Sequence, residues 1–269
     1  MMRSRTFCGA VVLSALAAQA NAQDDPAAKR LESSPRHHEF VDVPAEGGRK
    51  VRSFVVYPEV DKPATAVVVI HENRGLTDWV RSVADQLAEK GFVAIAPDFL
   101  SGTGPDGGGT TAYESQDAAR DGIYKLPAAQ VTADLDAVVK YVRGLDATTD
   151  KVAVAGFCWG GGQSFRYATH NPEIAGAFVF YGSAPDEDAL KAVKAPVYGF
   201  YGGNDFRITG QVPAVADKLK AADKKYEPVT YEGAGHGFMR SGEGAEADPA
   251  NAKAMKEGWD RWATILKKL

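Results

Sequence analysis

The sequence predicts an α/β fold: a mostly parallel central sheet with helices on both faces. Three observations carry this. Past residue 37, short apolar runs alternate with amphipathic ones, and strand–helix alternation builds parallel sheets. The run Ala66-Val67-Val68-Val69-Ile70 is continuous and largely β-branched, as in strands buried on both faces. Finally, Gly156-Phe157-Cys158-Trp159-Gly160-Gly161 lies between an apolar strand and a helical stretch. A glycine-framed turn of that kind projects the side chain at its apex outward.

The elements follow in order. Residues 1–22 read as a secretory signal peptide, with Arg3 and Arg5, an apolar run from Phe7 to Ala18, and an Ala20-Asn21-Ala22 cleavage site. The expected protein is therefore exported, periplasmic or secreted. The apolar run is shorter than the roughly 20 residues a bilayer span needs, so no membrane association is expected after cleavage. Residues 23–37 are polar and alanine-rich without clear periodicity, and predict a flexible leader. Residues 38–269 form the expected single domain. Phe40–Val43 and Val51–Tyr57 predict a hairpin, and Ala66–Ile70 a buried strand. Trp79, Val80, Val83, Leu87 and Ala88 recur at helical spacing up to Gly91. Phe92–Ala96 is the next strand, and residues 127–143 a helix with Val131, Leu135, Val138, Val139 and Val142 on one face. Val152–Ala155 leads into the cysteine turn. Ala175–Tyr181, Pro196–Tyr201 and Tyr226–Tyr231 complete the strands, and residues 249–268 form a closing helix.

Between Asp98 and Lys125 the pattern lapses into a glycine-rich stretch with Gly107-Gly108-Gly109. No P-loop lysine follows and no G-x-G-x-x-G opens a helix there, so a mobile flap beside the site is expected in place of a phosphate cradle. Loss of residues 1–22 removes two arginines and no acid, taking the net charge from −4 to −6. That mildly acidic balance argues against nucleic acid and anionic membranes as partners, and a monomer acting on a small molecule is the expectation. No His/carboxylate cluster has metal spacing, so no metal and no cofactor is expected.

Cys158 stands where such turns carry a nucleophile, and a thiolate is a strong one near neutral pH. The helix N-terminus behind it favours the anion. The competing reading of any single cysteine is a small buried hydrophobe, but the glycine frame argues for exposure. Cys8, the other cysteine, lies in the segment expected to be removed.

Two later strand ends supply partners: Gly203-Asn204-Asp205 and Gly235-His236-Gly237-Phe238. Nucleophile, acid, then histidine is the chain order of α/β-hydrolases. His236 can shuttle the proton while Asp205 sets its tautomer and stabilises the imidazolium. Each alone also reads as a loop former. Glu72, in His71-Glu72-Asn73-Arg74-Gly75 after the Val67–Ile70 strand, is placed to face the same crevice, or alternatively to pair with Arg74 as a solvated loop acid. The N–H groups of Asn73 and Trp159 are the expected oxyanion hole. His71 is a secondary candidate base; His37 and His38 read as incidental, and His170 as a helix-end cation.

With Glu72, Ala96-Pro97-Asp98, Gly156-Phe157-Cys158-Trp159-Gly160-Gly161, Gly203-Asn204-Asp205 and Gly235-His236-Gly237-Phe238 in this order, the chain resembles the dienelactone hydrolase family over residues 38–268. The resemblance implies an α/β-hydrolase fold, a Cys158-His236-Asp205 triad acting on esters or lactones without a cofactor, and a Glu72 that holds the resting thiol until substrate displaces it. Protection of the thiol suits an oxidising compartment. Lactone-specific members bind a substrate carboxylate with two arginines. Arg240 matches one; where the other is expected this chain has Leu100-Ser101-Gly102, which leaves Arg74 as the substitute and a broader ester or lactone substrate as the expectation. Acyl transfer on the same triad, and a non-catalytic binding or redox-sensing role, are the alternatives.

Overall fold

The computed structural model describes residues 25–269; the expected signal peptide lies outside them. Eight strands form one sheet in the order β1-β2-β4-β3-β5-β6-β7-β8. They are β1 (His38–Pro44), β2 (Lys50–Val56), β3 (Ala64–Ile70), β4 (Val93–Pro97), β5 (Thr148–Phe157), β6 (Gly176–Phe180), β7 (Val197–Gly202) and β8 (Tyr226–Tyr231). The β1–β2 hairpin and the β2–β4 pair are antiparallel, and every pair from β4 through β3 to β8 is parallel.

Alternating side chains feed two separate cores. In β3, Ala66, Val68 and Ile70 face one side, and Val67 and Val69 the other. The first core packs under α4 (Ala128–Arg143), α5 (Trp159–His170) and α8 (Val212–Ala221). The second lies under α2 (Asp78–Glu89) and α10 (Pro249–Leu266), where Trp262 is fully buried against Phe157, Phe178 and Phe180. Burial on both faces accounts for the unbroken apolar strands read in the sequence.

Three helices of eight residues or more lie where none was expected. In the leader, α1 (Pro26–Ser33) is capped by Asp25, whose carboxylate accepts from the Ala27 N–H, with Pro26 in the first turn. It docks on α2: Arg36 makes a bidentate pair with buried Asp85, to which the Ser34 hydroxyl also donates. An Asp–Pro start is a helix signal, but its anchor is 49 residues away in sequence, which local periodicity cannot reveal. The described leader residues are thus helical and docked, in place of the flexible segment expected. The second is α3 (Gln116–Lys125), capped by the Ser115 side chain within the glycine-rich stretch. The third, α8, carries Pro213 in its first turn, a position that tolerates it. Shorter helices α6 (Glu187–Leu190), α7 (Phe206–Thr209) and α9 (Phe238–Ser241) complete the chain.

Candidate active site

Glu72, Cys158, Asp205 and His236 follow the carboxyl ends of β3, β5, β7 and β8. In a parallel sheet those ends share one edge, and β3 and β5 flank the point where strand order reverses, the usual place for a binding crevice.

At the end of β5 the chain turns so sharply that Cys158 adopts φ 54° and ψ −113°. Its N–H donates to the Phe180 carbonyl at 3.0 Å, tying the turn to β6. Glycine is needed on both sides. A Cβ on Gly156 would lie 1.9 Å from the Gly160 carbonyl oxygen, and one on Gly160 would lie 2.4 Å from the His71 carbonyl oxygen. The first turn of α5 therefore packs directly on strand backbone, leaving the cysteine as the projecting side chain. Cys158 is partly exposed and its thiol is free.

The loops after β7 and β8 are laced together. Gly203 N–H donates to Tyr231 O at 2.8 Å, Asn204 N–H to Ala234 O at 2.9 Å, and the Asn204 amide to Gly233 O at 2.9 Å. Gly235 N–H donates to the Asn251 side chain of α10 at 2.8 Å. These bonds bring the buried Asp205 carboxylate to 2.6 Å from His236 Nδ1. The pKa of His236 is raised to about 9, above all by its interaction with the Cys158 side chain; burial opposes this and Asp205 adds to it. Asp205 and His236 are thus hydrogen-bonded to each other across the two loops.

Glu72 is buried, with a side chain only 6% exposed, and its carboxylate accepts from Arg240 Nε at 2.8 Å. The partner is thus Arg240, reached from α9, and neither solvent nor Arg74. Arg74 and Arg240 nevertheless line one cavity of about 540 Å³, together with Trp79, Thr110, Gln116 and Glu243. Burial pushes the Glu243 carboxyl above its ordinary range, against a hydrogen bond from Trp79.

The glycine-rich stretch is pinned at Thr110, whose N–H and hydroxyl both donate to Asp98, at 2.7 Å each, while its Oγ1 accepts from Leu76 N–H at 3.0 Å. The segment expected to be a mobile flap is thereby bonded to the strand ends on either side. Farther along it, the exposed Tyr124 hydroxyl accepts from the Asn73 amide at 3.3 Å.

Tyr181, just past β6, has φ 42° and is fully buried, edge-on to His236 at 5.1 Å. Its hydroxyl has no hydrogen-bond partner among the described residues. Burial, then the charge of Glu72, raises its pKa well above the ordinary tyrosine value. The sequence read Tyr181 only as the end of a strand. His170 bonds Asp136 at 3.0 Å on the surface, away from these residues in the fold. Among the described residues, no group of three His, Cys, Asp or Glu side chains could hold a metal.

A mostly parallel sheet with a positive-φ turn after β5, and with acid and histidine loops following later strands, defines an α/β-hydrolase. The profile of the dienelactone hydrolase family matches residues 51–269. The chain belongs to that family and is a hydrolase. A protein of Escherichia coli (strain K12) named "Putative carboxymethylenebutenolidase" is 30% identical over 242 residues, covering 85% of this chain and 86% of its own. The "Carboxymethylenebutenolidase homolog" of Mus musculus is 28% identical, over 77% of this chain and 83% of its own. Among solved structures, a "Putative Dienelactone Hydrolase" from Klebsiella pneumoniae superposes with a TM-score of 0.76 at 28% identity, covering 87% of this chain and 99% of the other. A dienelactone hydrolase-like promiscuous phosphotriesterase from metagenomic libraries shares the fold, with a TM-score of 0.72 at 21% identity over 87% and 98% of the two chains.

Proposed function

We propose that this hydrolase cleaves an ester or lactone through a thioester on Cys158. The thiolate attacks the carbonyl carbon, and the oxyanion is received by the N–H groups of Asn73 and Trp159; as the first residue of α5, Trp159 has an N–H with no intrahelical acceptor. The His236 imidazolium then protonates the departing alcohol or enolate. Neutral His236 next takes a proton from water, the hydroxide so formed attacks the thioester, and collapse returns the acid and the thiolate. Asp205 holds Nδ1 so that the other ring nitrogen does this work. The observation that carries the reading is a partly exposed Cys158 held at a strained apex on the same sheet edge as an imidazole bonded to buried Asp205.

We infer from the family resemblance that the substrate bears a carboxylate, met by Arg74 and by Arg240 once it leaves Glu72. This agrees with the carboxymethylenebutenolidase names of the relatives. Residues 1–22 are proposed to direct export, with cleavage near Ala22. The test is hydrolysis of p-nitrophenyl acetate by the wild type and by Cys158→Ala. We expect at least about a hundredfold loss of kcat/KM in the variant, the usual scale for a lost nucleophile. Equal rates would end the mechanism.

A further inference from the structure

We propose that His71 is a positioning residue for the oxyanion hole: its imidazole holds the Glu72–Asn73 peptide in the orientation that aims the Asn73 N–H at the substrate oxygen. The inference rests on the thioester mechanism above and deepens it.

His71 is fully buried at the end of β3, and both ring nitrogens are engaged. Nδ1 lies 2.7 Å from the Glu72 carbonyl oxygen, and the Phe99 N–H lies 3.3 Å from Nε2. A carbonyl oxygen can only accept and an amide N–H can only donate. The two contacts therefore define one neutral tautomer, with the proton on Nδ1. Burial lowers the pKa of His71, which keeps it in that form.

The bond from Nδ1 has a consequence across the peptide plane. In a trans peptide the C=O and the following N–H point in opposite directions. Holding the Glu72 oxygen toward His71 therefore turns the Asn73 N–H away from it. Donation to the oxygen also polarises the amide, strengthening its N–H as a donor. The same ring stacks on Trp159, with centroids 5.3 Å apart and planes at 16°. Trp159 supplies the other proposed oxyanion N–H, and the adjoining Gly160 is pressed against the His71 carbonyl. One buried imidazole thus touches both peptide segments that must converge on a single oxygen. The Phe99 N–H braces it from the end of β4.

Two variants divide the roles of the ring. His71→Asn can place an amide N–H near the site of Nδ1, keeping donation to the Glu72 carbonyl and losing the Phe99 contact. His71→Gln can place an amide oxygen near Nε2, keeping the Phe99 contact and losing the donor. Each is assayed for p-nitrophenyl acetate turnover and for alkylation of Cys158 by iodoacetamide. Alkylation displaces iodide from a saturated carbon and develops no oxyanion, so it reads the thiol alone. We expect kcat in His71→Gln to fall about 10- to 100-fold, below the 10²- to 10³-fold cost of deleting an oxyanion donor outright. KM and the alkylation rate should each stay within about twofold. His71→Asn should keep kcat within about fivefold of wild type.

A parallel loss of alkylation and turnover in His71→Gln would overturn the proposal, because His71 would then be serving the thiol or the fold at large. So would a kcat in His71→Asn as low as in His71→Gln. If His71→Gln does not fold, His71→Asn decides alone: a kcat below about one tenth of wild type with normal alkylation overturns the proposal, and a kcat within fivefold upholds it. Failure of the thioester mechanism is told apart by Cys158→Ala, whose undiminished turnover would sink that mechanism whatever the His71 variants do.

Discussion

Replacing Arg240 with methionine tests what its pairing with buried Glu72 contributes to stability. In the folded state Arg240 Nε lies 2.8 Å from Glu72 Oε2. Two unit charges at that distance attract by about 6 kcal/mol in an effective dielectric of about 20. Arg240 keeps 36% of its side chain exposed, so solvent screening cuts this to roughly half, about 3 kcal/mol. Glu72 has no such relief, because its side chain is 6% exposed, and a buried charge stripped of its partner costs about 3–5 kcal/mol. The cavity beside Arg240 lets water reach part of the gap, so a loss of about 2–3 kcal/mol is expected. With a urea m-value of about 3 kcal/mol/M, the midpoint should fall by roughly 0.7–1 M. Adding Glu72→Gln removes the stranded charge while keeping the side chain's shape, and should recover at least half of the loss. An unchanged midpoint in Arg240→Met, or a double variant no more stable than the single one, would refute the reasoning.

Two further outcomes are expected. His236 has a pKa raised to about 9, chiefly by Cys158 against the opposition of burial and with help from Asp205, compared with about 6.5 when unfolded. Its charged form therefore stabilises the fold fully below about pH 6.5, and that contribution is lost as pH rises through about 9. The stability gap between wild type and His236→Gln, followed by denaturant titration, should shrink over this window, and a gap that stays flat would contradict it. Thr110→Val removes the hydroxyl that donates to Asp98 and accepts from Leu76; it should cost about 1–3 kcal/mol and speed proteolytic cleavage within residues 98–115. Wild-type cleavage rates there would show that the segment is held by something else.

The central strands β3, β4, β6 and β7 were legible because they are buried on both faces and read as continuous apolar runs, β3 most plainly. Helices α2, α4 and α10 announced themselves through one buried face at helical spacing. The α1 helix did not. It is short, with Ala27 its one buried residue and Leu31 packed beside the core, and Arg30, with Arg36 just after it, ties the segment to Asp85 on another helix. Polar anchoring between distant segments leaves no period in the sequence. The same holds for Thr110, whose three bonds to Asp98 and Leu76 convert a glycine-rich stretch into a fastened loop.

By itself the sequence determined which chemistry is on offer: a cysteine framed by glycines after a buried strand, an acid and a histidine after later strands, and arginines near their ends. Those features are local, since close backbone approach demands glycine and strand burial demands apolar runs. Tertiary structure alone decided the pairings. Glu72 meets Arg240 across 168 residues of chain, and His71 meets Phe99 and Trp159 at a crossing of three segments. Partnerships of that kind depend on which loops the sheet order brings together. A charge or an imidazole can be read from the sequence, but the group that satisfies it is chosen by the fold.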